Sequence, residues 1–146
     1  MIRSTNTKEK LDEFINKLES LGYNVIPIRK KPQIFSINDE LVNVRCRGKE
    51  KTIAGGRGYW YSIAFNVLQE VKWVIYVTTT SDYFFMFPNT FLDNLKDQMY
   101  LDKQKSDTGV FDLDWDDLKI VLKQGEIKSI DEYYYNLLHD DDYPIF

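Results

Sequence analysis

An α+β fold with a tendency to three layers follows from three observations. Apolar residues recur at helical spacing over residues 11–21, residues 41–47 alternate with period two, and residues 73–77 (WVIYV) and 83–87 (YFFMF) are apolar on both faces. The expected architecture is a central mixed sheet of about five strands, with an N-terminal helix and C-terminal helices. No internal repeat or linker interrupts the chain, so residues 1–146 read as a single α+β domain.

In the first helix, Asn6 is placed to cap the N-terminus and Glu9, three residues on, completes a capping box. Leu11, Phe14, Ile15, Leu18 and Leu21 form the buried stripe, and Gly22 supplies the stop. Residues 23–28 (YNVIPI) read as a strand, with Pro27 arguing for an edge because it removes a ladder donor. A basic loop, residues 29–32, leads to a short strand over residues 33–37, and Asn38-Asp39 is turn chemistry.

Residues 41–47 place Val42, Val44 and Cys46 on one face and Asn43, Arg45 and Arg47 on the other. Burying the small apolar set projects two guanidiniums and an amide from the opposite side, with Cys46 as a core residue. Residues 48–58 read as a loop carrying Gly55, Gly56 and Gly58. It matches neither a Walker loop nor GxGxxG, so it is either a phosphate cradle of backbone amides or a hairpin tip.

Residues 59–65 (YWYSIAF) suit a strand or the first turns of a helix running to Glu70. Residues 73–78 are the central strand, residues 79–82 turn the chain, and Pro88 ends the returning strand. Asn89 is expected to cap a helix to about Tyr100, followed by a polar loop over 103–108 and a short strand over 110–113. Asp114 then caps a helix over 115–124 stopped by Gly125, and residues 129–138 form a last helix carrying Tyr133, Tyr134 and Tyr135. Residues 139–142 form a solvated acidic tail.

Composition bounds the chemistry. Hydrophobic residues make up 43% and charged residues 29%, the balance of a globular chain. Cys46 and His139 are single, which removes intrachain disulfides, thiolate metal clusters, zinc triads and most Ser-His or Cys-His catalysis. No apolar run approaches a membrane span and residues 1–20 are charged throughout, so a cytoplasmic protein is expected. The net charge of -4 conceals a gradient: residues 29–57 hold eight basic against three acidic side chains (+5), and residues 107–146 hold three against eleven (-8). The two regions either steer partners or attract each other within the fold.

The segments VNVRCRGK, GRGYWYSI and WVIYVTTTSDYFFMFP, with Pro88 before a helix, resemble divergent PD-(D/E)XK (restriction-endonuclease-like) proteins over roughly residues 5–100. The resemblance implies a nuclease fold whose site needs an acidic residue on one strand and E-x-K or Q-x-K on the next, the carboxylates holding a divalent metal. Here the proline-led position is Pro32-Gln33, and the E-x-K position falls on Asn43-Val44-Arg45 or Arg45-Cys46-Arg47. Neither supplies a carboxylate, so the usual acidic motif is lacking.

Three functions follow as expectations. One is a catalytically degenerate protein binding nucleic acid through Arg45, Arg47, Lys49, Lys51 and Arg57, with Tyr59, Trp60 or Tyr61 for stacking, as in a defence or mobile-element system. The second is an active magnesium-dependent nuclease with displaced carboxylates, for which Asp39 and Glu40 are the candidates and Glu13 a contributor. The third is a protein-interaction or inhibitor module using the acidic C-terminal face. Phe111–Leu118 (FDLDWDDL) lacks the Gly and Glu of a calcium loop, and its acids are read as helix N-terminal acids.

Overall fold

A computed structural model describes residues 2–31, 33–46, 51–53, 56–78, 82–125, 127–140 and 143. Helix α1 spans Ile2–Ser20. It begins upstream of Asn6, which is therefore a helix-interior residue and not the cap. An interior Asn costs at most about 0.7 kcal/mol, too little to hold a boundary against another turn. The C-terminus is a Schellman motif: Gly22 sits at φ 97, its N–H donates to the Glu19 carbonyl, and the Tyr23 N–H donates to that of Leu18. Phe14 and Leu18 are fully buried, but Leu21 lies past the last turn and is 45% exposed, outside the expected stripe.

Strands β1 (Val25–Pro27), β2 (Ile34–Ile37) and β3 (Glu40–Cys46) form an antiparallel meander. Between β2 and β3, Asn38 and Asp39 both take positive φ (48 and 69), as a two-residue type I′ hairpin requires. Pro27 does lie on an edge strand. The hairpin of β4 (Lys51–Ile53) and β5 (Gly56–Ala64) replaces much of the loop expected over residues 48–58. The open choice for residues 59–65 resolves by division: β5 runs through Ala64 and helix α2 begins at Phe65, spanning Phe65–Glu70.

Strands β6 (Trp73–Val77) and β7 (Tyr83–Pro88) follow as an antiparallel pair. Helix α3 (Asn89–Leu95) continues as a 3-10 turn over Lys96–Gln98 and ends before Tyr100, which begins β8 (Tyr100–Leu101). Pro88 occupies the cap position, and Asn89 instead donates from Nδ2 to the Leu68 carbonyl at 3.2 Å, tying α3 to α2.

The C-terminal third departs from expectation. The short strand over 110–113 is the seven-residue β9 (Thr108–Asp114). In place of the helix expected over 115–124, a turn leads to β10 (Lys119–Val121), then β11 (Ile127–Ser129), a 3-10 turn over Asp131–Tyr133, and β12 (Tyr134–Asn136). Asp114 accepts the N–H groups of Asp116 and Asp117 at 3.0 and 2.8 Å, and Leu118 at φ 54 reverses the chain. Buried Ile120 and Leu122 show that the relevant period was two. A run of β-favouring tyrosines likewise pairs on β7 (Tyr134 with Phe85) in place of the expected last helix.

The strands form two sheets. The first, ordered β1-β2-β3-β6-β7-β12, is mixed because β3 and β6 run parallel. The second is ordered β11-β10-β9-β5-β4, with β8 also pairing β9. Helix α1 packs Phe14 and Leu18 on one face of the first sheet, against Val42, Val44, Ile75, Val77, Phe84 and Met86. On the opposite face, Val74, Tyr76, Phe85 and Phe87 meet Tyr61, Ile63, Phe111 and Leu113 of the second sheet. This layering of helix, sheet and sheet explains why β6 and β7 are apolar on both sides. The α+β class, with its N-terminal helix and central mixed sheet, is therefore what the structure shows. Among the described residues no helix is long and apolar enough to cross a membrane.

Candidate nucleic-acid interface and an adjoining cavity

Alternation along β3 sends Val42, Val44 and Cys46 toward α1, so Cys46 is the core residue its position implied. Burial, then the nearby Asp12 and Glu13 carboxylates, push its thiol above the ordinary value of 9.0. The proton is thus held more tightly in the folded state. This contribution to stability is complete below pH 9.0 and declines as pH rises beyond it. Iodoacetamide is expected to alkylate native Cys46 only as fast as the protein opens, with urea restoring ordinary thiol reactivity; rapid native labelling would contradict the burial.

The other face of β3 is less open than the sequence implied. Asn43 does not project into solvent: it is 4% exposed, on the side of the sheet that α2 partly covers. Its Nδ2 donates to the Gln33 carbonyl at 3.3 Å, while Oδ1 is buried without a hydrogen-bond partner among the described residues. Arg45, two residues on, is half-buried. Arg47 and Lys49 lie outside the described residues, as does Gly55, and Lys51 lies on β4 opposite Gly58.

Gln33 and Asn43, onto which one of the two placements of the nuclease motif falls, line one cavity of ≈ 270 Å³. Lys31, Ile34, Asn66, Val67 and Glu70 complete its lining. Glu70, the one carboxylate among its described lining residues, accepts from Lys31 Nζ at 2.6 Å. Sequence spacing brought Gln33 and Asn43 forward but missed Asn66, Val67 and Glu70, because the helix carrying them was not separable from the preceding strand.

The candidate acids are placed differently. Asp39 is exposed in the β2–β3 turn. Glu40 accepts from Trp73 Nε1 at 2.6 Å and from Lys72 Nζ at 3.1 Å, so both oxygens are engaged where β3 meets β6. Among the described residues, no three His, Cys, Asp or Glu side chains gather within reach of one ion. An amide-rich pocket whose carboxylate is already paired does not suit magnesium, which favours carboxylate and water oxygens.

Arg57 belongs to the second sheet's architecture. Its Nε and Nη2 grip Asp116 at 3.1 and 2.9 Å, its N–H donates to the same carboxylate at 2.8 Å, and its carbonyl accepts from Trp115 N at 2.7 Å. Those hydrogen bonds hold the Asp116 carboxyl below its ordinary value of 3.8. The pair's contribution is therefore present above pH 3.8 and is lost as pH falls below it; its exposure keeps that contribution small. Arg57→Gln is expected to return the Asp116 titration, followed by carboxyl NMR, toward 3.8. An unchanged midpoint would mean that the pair does not persist in solution.

The YWY cluster divides by alternation. Tyr61 is fully buried, its hydroxyl donating to the Val77 carbonyl at 3.1 Å. Tyr59 is half-buried against the inter-sheet core, and Trp60, its ring centroid 6.0 Å from that of Tyr59, is 38% exposed. On the acidic C-terminal side, Asp131, Glu132 and Asp140 are exposed. Tyr134 stacks on Tyr83 with centroids 5.7 Å apart and packs on Phe85 at 4.8 Å. Burial pushes the Tyr134 hydroxyl up to about 12, so Tyr134 braces the sheet edge as a neutral ring.

Among known proteins, the chain matches no family model, no curated protein and no solved structure.

Proposed function

We propose that this is a nuclease-fold protein, catalytically degenerate, that holds nucleic acid through the basic segment from β3 into the β4–β5 hairpin without cutting it. The observation that supports the reading is that Gln33 and Asn43, onto which one placement of the resemblance's acidic motif falls, line one cavity with amides, and Arg45 continues the same strand. The basic run goes on through Arg47, Lys49 and Lys51, and the partly exposed Trp60 lies on the neighbouring strand β5. Arg57, engaged by Asp116, adds charge to the neighbourhood but serves the turn first. A reducing cytoplasmic setting accords with a single buried thiol.

The test is a labelled oligonucleotide, single- or double-stranded, incubated with the protein and magnesium or manganese. The strand is expected to be bound and recovered intact. Cleavage lost in Asp39→Ala or Glu40→Ala would establish a metal-dependent nuclease with displaced acids instead. No binding at low salt, with capture of a basic protein lost on neutralising the exposed Asp131, Glu132 and Asp140, would establish an interaction module. Deleting residues 131–146 cannot make that distinction, because Leu137 and Tyr143 are core residues.

A further inference from the structure

We infer that the open edge of β1, with the groove between β1 and α1, is a docking site for an extended protein segment carrying Lys or Arg at alternate positions. The first sheet ends at β1. Toward β2, the Ile28 N–H donates to the Ile34 carbonyl and the Asn38 N–H donates to the Asn24 carbonyl, so the even positions of β1 bond inward. By alternation the main-chain groups of Val25 and Pro27 point off the sheet. Pro27 has no N–H, which leaves the Val25 N–H and the Val25 and Pro27 carbonyls for an added strand.

Both faces beside that edge are incompletely covered. Ile26 is 49% exposed on the face away from α1. On the α1 side lies a groove of ≈ 550 Å³, with Asp12, Ile15 and Glu19 from one stripe of the helix and the buried Val25 and Phe35 from the strands. Asp12 and Glu19 are exposed, and no cation is among the described lining residues. Asp12 meets Lys8 at 3.3 Å in a pair that water reaches freely, and Glu19 makes no ion pair among the described residues. A strand of alternating character fits both sides: Lys stems cover the apolar lining while their heads reach the two carboxylates, and the apolar residues between them fall on the Ile26 face. The same carboxylates repel a phosphate backbone. A second copy paired antiparallel at this edge would set its own Asp12 and Glu19 beside these on the same face, so the partner is a different, basic chain. This inference does not rest on the basic segment, whose failure would leave it standing.

The experiment uses the full chain, isotopically labelled for NMR, titrated with an end-blocked Lys-Val-Lys-Val-Lys-Val-Lys peptide. Saturable shifts are expected at the Val25 and Ile26 backbone amides. Asp12→Lys combined with Glu19→Lys should weaken binding by about tenfold or more, since two repulsive charges replace two attractive ones. The same peptide methylated on its Lys main-chain nitrogens keeps every charge but loses the donors that face the Val25 and Pro27 carbonyls. Its binding should be abolished, and it decides alone if the double variant does not fold. The inference is overturned if millimolar peptide leaves the β1 amides in place, or if the double variant binds as the parent does. It is equally overturned if the methylated peptide binds as well as the plain one, which would mean charge attraction without strand addition. The same β1 shifts on raising protein concentration alone would assign the edge to a second copy, and the same shifts with an oligonucleotide would assign it to nucleic acid; either result overturns it.

Discussion

Replacing Arg45 by Gln and Arg47 and Lys49 by Glu is expected to eliminate retention of a labelled oligonucleotide at low salt while leaving the melting temperature nearly unchanged. Arg45 is half-buried and makes no ion pair among the described residues, so Gln, which keeps much of its apolar stem, removes charge at little structural cost. Each phosphate contact carries a log–log salt slope of about -0.9 on duplex and -0.7 on single strands; losing three should flatten the slope by about two to three units. The accompanying fall in affinity is on the order of a hundredfold or more, since two repulsive charges replace two attractive ones.

Arg57 is left out of this variant by design. Its reversal would set a carboxylate against Asp116, and a lost turn would then be mistaken for a lost contact. Retained binding in the triple variant would move the interface elsewhere. A large fall in melting temperature would mean that the basic strand end is structural.

Tyr76→Ala is expected to destabilise the fold by about 3–5 kcal/mol, the range for emptying a buried aromatic site. The ring lies between the sheets, with centroids 4.7 Å from Tyr61, 5.5 Å from Phe111 and 6.0 Å from Phe87. No single neighbour can close the space it leaves. Its hydroxyl also donates to the Ser62 carbonyl at 3.3 Å. Tyr76→Phe removes the hydroxyl and keeps the ring, and should cost about 1 kcal/mol. Denaturant unfolding separates the two: a large Ala effect beside a small Phe effect assigns the energy to packing between sheets. With total stability for a domain of this size about 5–15 kcal/mol, the Ala variant should melt roughly ten degrees or more lower.

The sequence is most informative where local pattern and tertiary environment agree. Residues 73–77 and 83–87 are continuous apolar runs because cores lie on both faces, and Gly22 ends α1 because its positive φ is required there. Where the two disagree, the reading failed. Trp115, Leu118, Val121 and Leu122 fit a helical stripe, yet Asp114 caps a turn with two backbone bonds, and Ile120 on the next strand and Leu122 just past its end are the buried residues. The tyrosines at 133–135 likewise gain more from pairing on the β7 edge than from a short helix.

At the candidate site, alternation along β3 correctly separated Val42, Val44 and Cys46 from Asn43 and Arg45. It could not tell that the second face was partly covered. Asn43 looks solvated in a one-dimensional pattern because α2, which covers it, comes more than twenty residues later in the chain. The arginines show the same limit: Arg57 and Arg45 are alike in sequence, and only the fold sets Arg57 against Asp116.

The most direct measurement of the central claim is the anisotropy of a labelled single-stranded oligonucleotide titrated with wild-type protein across a salt series in magnesium, with strand length checked afterwards. The account predicts saturable binding that weakens linearly on a log–log plot, with a slope near -3 for about four phosphates neutralised, and an intact strand. A flat salt dependence, no binding at the lowest salt, or a shortened strand would contradict it.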